Sequence, residues 1–175
     1  TASGMVTSEG DYTGGFVGQV YTSDIFDSSA TGAVSGNESV GGFGGVISDS
    51  EITDSFATGI VQSLGGNVGG FAGQTYCGSV FLRVSASGNV TAGNGNAGGF
   101  TGFDGCEGPG STFNQVSAHG NVTGNNVIGG FVGESYVSTF INAYSSGSVT
   151  GNDQVGSFAG TLVSGNVTNA YARGL

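Results

Sequence analysis

The chain predicts an all-β fold: a parallel β-solenoid of about six coils, each 27–31 residues long with three short strands per coil. Three phrases that recur in step carry this expectation. Gly-Gly-Phe-x-Gly, or a near copy, is written six times around Phe16, Phe43, Phe71, Phe100, Phe131 and Phe158, at steps of 27, 28, 29, 31 and 27 residues. A second phrase, small residue–Ser/Thr–Gly–x–Val, keeps the same step around Gly32, Gly59, Gly88, Gly120 and Gly147, with His119 in the Ser/Thr place of the fourth copy. Half-copies stand at Ser3-Gly4-Met5-Val6 and Ala172-Arg173-Gly174-Leu175. A large apolar residue lies seven places before each of these glycines: Ile25, Ile52, Phe81, Phe113, Phe140 and Val167. A near-constant period of this size marks a repeat architecture.

Each phrase reads as a strand. In Ala30-Thr31-Gly32-Ala33-Val34-Ser35 the side chains alternate, Ala, Gly and Val on one face and Thr, Ala and Ser on the other, the pattern of a strand with one buried face. Gly-Gly-Phe-x-Gly forms a short strand with Phe inward, and the Ile/Phe phase marks the third. Gly36-Asn37-Glu38-Ser39, Gly93-Asn94-Gly95-Asn96 and Gly124-Asn125-Asn126 supply turns between them, and no segment holds a helical period over ten residues. Strands pairing in parallel with their equivalents one coil away stack Phe on Phe, Val on Val and Ile on Phe. At about 4.8 Å per coil the rod is roughly 30 Å long. A β-propeller fits less well, since its blades need about 40 residues and four strands. The evenly placed Phe, Val and Ile oppose low-complexity disorder, and the absence of a strict three-residue glycine period excludes collagen.

The composition narrows the function classes. The 175 residues suit a single solenoid domain, 1–175, and carry 12 acidic groups against two arginines, Arg83 and Arg173, for a net charge of −10. That balance argues against nucleic acid, which is held mainly through Lys and Arg on phosphates, and against anionic membrane surfaces. No apolar run is long enough to span a bilayer, and no signal peptide is visible. Cys77 and Cys106 each lie six residues after their own repeat phenylalanine, so stacked coils bring their α-carbons about 5 Å apart, within reach of a disulfide. A disulfide points to secretion or an extracellular surface. With one distant histidine, His119, two cysteines do not make a metal site.

The copies of Gly15-Phe16-Val17-Gly18, followed by phrases such as Ile52-Thr53-Asp54-Ser55-Phe56-Ala57-Thr58-Gly59, resemble the GLUG repeat. The resemblance covers nearly the whole chain and departs at one place, where Phe stands for the motif's leucine in all six copies. It implies a bacterial or archaeal secreted or surface protein, often adhesin-like, and transfers no catalytic residue.

Enzyme chemistry is not expected. The eight acids within residues 1–54 have no Lys or Arg near them in sequence, and His119 falls in an outward phase, away from any triad geometry. A glycan-active β-helix would need acids clustered in a deep groove. Asp24 and Asp27 share phases with Glu51 and Asp54, so like charges stack unless solvated or bridged by a cation. Calcium suits such carboxylates, although the spacing of a calcium loop is absent and no cofactor is called for. Two outward ladders, Thr31-Thr58-Ser87-His119-Ser146 and Ser35-Gln62-Thr91-Thr123-Thr150, form an array of hydroxyls and methyls. Such an array can order water at an ice surface, or simply reflect the strand propensity of Thr. The chain begins and ends at one phase without a polar cap, which suits a slice of a longer array or subunits stacking into a fibre. The expectation is therefore an extracellular stalk, adhesive module or filament subunit facing a surface or matrix ligand, with an ice-binding solenoid as the alternative.

Overall fold

The computed structural model describes residues 1–174, to which all structural statements below refer. They form thirty short strands and no helix. The strands fall into five parallel sheets of six, one strand from each coil. In chain order these are a valine sheet (from Val6–Thr7 to Val149–Thr150), a glycine sheet (Tyr12–Gly14 to Val155–Gly156) and a long sheet (Val17–Tyr21 to Ala159–Val163). An Ile/Phe sheet (Asp24–Phe26 to Asn166–Thr168) and an alanine sheet (Ser29–Ala30 to Tyr171–Ala172) complete the circuit. The inward residues of the valine and Ile/Phe sheets pair like with like: Val34 with Val61 and Val61 with Val90, Ile52 with Phe81 and Phe81 with Phe113.

Five strands per coil correct the expected three. The Ala-Thr-Gly-x-Val phrase is two strands rather than one, because the chain bends at its glycine. An added Cβ on Gly59 would strike the carbonyl oxygen of Gly32, and one on Gly88 that of Gly59, so the column admits no side chain. The Gly-Gly-Phe phrase is likewise split. Its first glycine ends the glycine sheet, its Phe occupies the bend, and the long sheet begins one residue later. Period-two alternation survives such a bend, so the pattern alone could not reveal it.

A further corner of each coil is turned by residues with positive φ. Between the Ile/Phe and alanine sheets stand Asp27, Asp54, Arg83, Gln115, Asn142 and Asn169, with φ between 48° and 56°. Four of the six are Asp or Asn, the non-glycine types that best tolerate the left-handed region. The serine after each of the first two corners is held across coils, Ser28 N–H donating to Ser55 Oγ at 3.1 Å.

The interior has two apolar compartments. One holds Phe43, Phe71, Phe100 and Phe131, stacked ring on ring at 4.6, 4.9 and 5.2 Å. A second column, Phe81, Phe113 and Phe140, stacks at 5.0 and 4.9 Å and meets the first edge-to-face at 5.4 to 6.1 Å. Both geometries are favoured by the ring quadrupole. The other compartment packs Val34, Val61, Val90 and Val122 against Val40, Val68, Ala97 and Ile128.

Candidate functional site

The outward ladders form as the register requires. Ser35, Gln62, Thr91, Thr123 and Thr150 are paired in order along the valine sheet and all are exposed. Thr31, Thr58, Ser87, His119 and Ser146 follow one another coil by coil beside them; Thr58 N–H, for example, donates to Ala30 O at 2.9 Å. The column between them is not a hydroxyl array. Asn89 Oδ1 accepts from Asn121 N–H and Asn121 Oδ1 from Ser148 N–H, each at 3.0 Å, and Ile60 stands in the same column. His119 is tied to Ser146 Oγ at 2.9 Å and to the Tyr144 hydroxyl at 3.2 Å. Ser8, Ser35, Gln62, Leu64 and Thr91 line a shallow open groove of about 680 Å³ on this face.

Cys77 and Cys106 are joined, with α-carbons 5.4 Å apart, in adjacent coils. The bridge fastens the loop Glu107–Gly110 of the longest repeat to the coil before it, and Gly78 N–H donates to Pro109 O at 2.8 Å across the same junction.

The acidic residues are only partly gathered. Asp24 lies opposite Glu51 in the Ile/Phe sheet, while Asp27 and Asp54 occupy successive left-handed corners. Arg83, at the next corner, grips Asp54 through two bonds of 2.6 Å, and its guanidinium holds the Asp54 carboxyl below the usual carboxylate range. The cation absent from the nearby sequence is thus supplied one coil along. Among the described residues no three His, Cys, Asp or Glu side chains gather as a metal site.

Two arrangements escaped the reading of the sequence. Asp104 is an inward residue of the long sheet with no exposed surface. Its carboxyl accepts from the Thr75 and Ser135 hydroxyls, one coil to either side, each at 2.8 Å. Burial pushes its pKa up, against the hydroxyls of Ser138, Ser111, Thr75 and Ser135, of which only those of Thr75 and Ser135 reach hydrogen-bonding geometry. Its column reads Val20, Ile47, Thr75, Asp104, Ser135, Leu162, so hydroxyls stand only where the acid needs them.

The second lies on the outer face of the long sheet. Tyr76 donates to Gln74 Oε1 and Tyr136 to Glu134 Oε1, each at 2.6 Å, and Gln19 Nε2 reaches the Tyr21 hydroxyl at 3.4 Å. Asn96 Nδ2 donates to the other Glu134 oxygen at 2.9 Å. The Phe103 ring sits between Tyr76 and Tyr136 at 5.9 and 6.0 Å. Burial, with Tyr12 and Tyr21 nearby, raises the pKa of Tyr76; the bond to Glu134 raises that of Tyr136. The signal was present as Gln19-x-Tyr21, Gln74-x-Tyr76 and Glu134-x-Tyr136, but these copies skip a coil and fall outside a one-coil search.

Comparison with known families gives the GLUG motif at residues 9–35 and again at residues 36–62. No curated protein and no solved structure matches the chain. Each motif match makes one circuit of the five sheets, from the glycine sheet round to the valine sheet, so the motif and the coil are one unit. The chain is a β-solenoid that carries the GLUG motif in its first two full circuits.

Proposed function

We propose that this chain is a non-enzymatic structural module of an extracellular protein, a stiff spacer in a stalk, adhesin or filament. The observation that carries the reading is the unbroken register: five sheets run through every coil without a change of partner. Such a rod resists bending because each coil is hydrogen-bonded to its neighbours on every side. The disulfide supports an oxidising setting, and the net charge of −10 disfavours nucleic acid and anionic membrane surfaces as partners. No helix among the described residues is long and apolar enough to cross a membrane.

The first and last coils leave strand edges free and part of the apolar columns in solvent, Phe16 at 39% and Val167 at 47% exposure. Further coils of the same repeat, or a second copy stacked end to end, fit both edges. Antibody labelling of intact source cells tests the placement, with labelling expected before permeabilisation; labelling only afterwards overturns it. Electron micrographs of the purified chain distinguish single rods from filaments of the same width.

The in-register hydroxyls of the valine sheet favour a second reading, an ice-binding face. Thermal hysteresis that is lost in Thr91→Tyr and Thr123→Tyr is its test, and absence of hysteresis in the wild-type chain rejects it.

A further inference from the structure

The outer face of the long sheet carries a rhythm that the solenoid does not need. Folding asks only that each coil resemble the next, a period of one. On this face the column read along the rod is Tyr21, Ser48, Tyr76, Gly105, Tyr136, and its companion is Gln19, Val46, Gln74, Phe103, Glu134; the sixth coil ends them with Val163 and Thr161, outside the alternation. Tyrosine with a carboxamide or carboxylate two residues before it recurs at every second coil. A small residue with an apolar companion fills the coils between. Gly105 makes room in that alternation: a Cβ there would lie 3.1 Å from Tyr136 Cδ2 and 3.4 Å from the Phe103 ring.

The chemistry of the strip selects its ligand. Tyrosine rings on a solvent-facing sheet offer apolar faces with a polar edge, the combination that stacks on the C–H face of a pyranose ring. The amides of Gln19, Gln74 and Asn96 and the carboxylate of Glu134 are donors and acceptors set beside those rings, suited to sugar hydroxyls. Glu134 is the one charged group among these residues, and the chain carries a net charge of −10, so an anionic chain is repelled. Two coils advance about 9.6 Å along the axis, close to the length of two sugar rings in an extended β-linked chain.

We propose that this strip binds a neutral β-linked polysaccharide laid along the rod, with Tyr21, Tyr76 and Tyr136 each stacking on every second sugar. Gln19, Gln74, Asn96 and Glu134 take the hydroxyls of the sugars so held. The bridge Cys77–Cys106 directly follows Tyr76 and Gly105 and fixes the edge of the strip where the longest repeat departs. The proposal stands apart from the rod and its placement outside the cell, since a spacer without the strip would still be a spacer.

The test is calorimetry of the disulfide-intact chain with cellohexaose, xylohexaose and chitohexaose, and with polygalacturonate as the anionic comparison. At least one neutral hexasaccharide is expected to bind, with affinity rising in steps of two sugars as the oligosaccharide lengthens. Tyr76→Ala and Tyr136→Ala each weaken binding roughly three- to tenfold, and together cumulatively. Tyr144→Ala, which removes a ring stacked on Tyr171 on the alanine sheet, leaves it unchanged. Tyr21→Ala, at a more exposed ring, serves if either central variant fails to fold, and Tyr76→Phe keeps most of the affinity. Failure of all three neutral hexasaccharides to bind overturns the proposal. So does binding untouched by the tyrosine variants, a preference for polygalacturonate, or a protein partner captured by the strip in place of sugar.

Discussion

Replacing Phe71 by Ala removes the ring at the centre of the longer aromatic column. Phe71 has no exposed surface, lies between Phe43 at 4.6 Å and Phe100 at 4.9 Å, and meets the edge of Phe81 at 6.1 Å. A buried Phe→Ala change costs about 3–5 kcal/mol, and the upper half of that range applies because coils clamped by sheet hydrogen bonds cannot close on the cavity. Phe16 is the control. It belongs to the same column, stacks on Phe43 alone at 4.7 Å and is 39% exposed, so its loss costs about 2–3 kcal/mol, scaled by the buried fraction. Urea unfolding followed by far-ultraviolet circular dichroism reads both. In Phe71→Ala the weakened centre also uncouples the coils on either side, and the transition broadens into two. Equal losses for the two variants, or a loss below about 1 kcal/mol for Phe71→Ala, would refute a core built from the vertical stacking of rings.

Three other outcomes follow from single features. Gly88→Ala costs about 1–3 kcal/mol or more, since its Cβ meets the Gly59 carbonyl; Gly4→Ala, with nothing within 4 Å, is neutral in the same urea assay. Removing the bridge by Cys77→Ser with Cys106→Ser lowers stability by about 3–4 kcal/mol for a loop of 29 residues, and neither thiol of the wild-type chain alkylates before reduction; alkylation without reductant contradicts the bridge. The folded pKa of Asp104 lies above its ordinary value of 3.8, so the acid favours folding below that value and its contribution is lost as pH rises towards the raised one. Melting curves of wild type and Asp104→Asn across this range are expected to diverge, the variant gaining on the wild type with rising pH; parallel curves would show that the carboxyl does not titrate there.

The one-coil period made the solenoid legible. Phe71, Ile52 and Val61 announced their columns by spacing alone, and the partners of Cys77 and of Asp24 followed from the same count. The bends did not. Gly32 and Phe43 lie inside phrases whose alternation continues across the corner, so three strands were expected where five form. Arg83 could not be matched to Asp54 by proximity in sequence, because its closeness arises only when the coil closes. Asp104 gave no sign of burial, since the hydroxyls that donate to it come from two other coils. The tyrosine strip was hidden by its longer rhythm: a reading tuned to each repeat averages away whatever recurs in every other one.

Since each circuit presents upward the same pairing edge that it receives from below, one coil more or fewer creates no new kind of junction. Duplication of a gene segment encoding one such unit would lengthen the rod by a single storey and leave the backbone pairing of all five sheets intact. Reach, in such a protein, is a quantity that evolution or an engineer can adjust in whole increments. A few structures set a boundary on where the cut may fall: the bridge between Cys77 and Cys106, the buried Asp104 held by hydroxyls from both neighbouring coils, the Arg83–Asp54 pair, and the paired-coil beat of the tyrosines, which a single added storey would throw out of step.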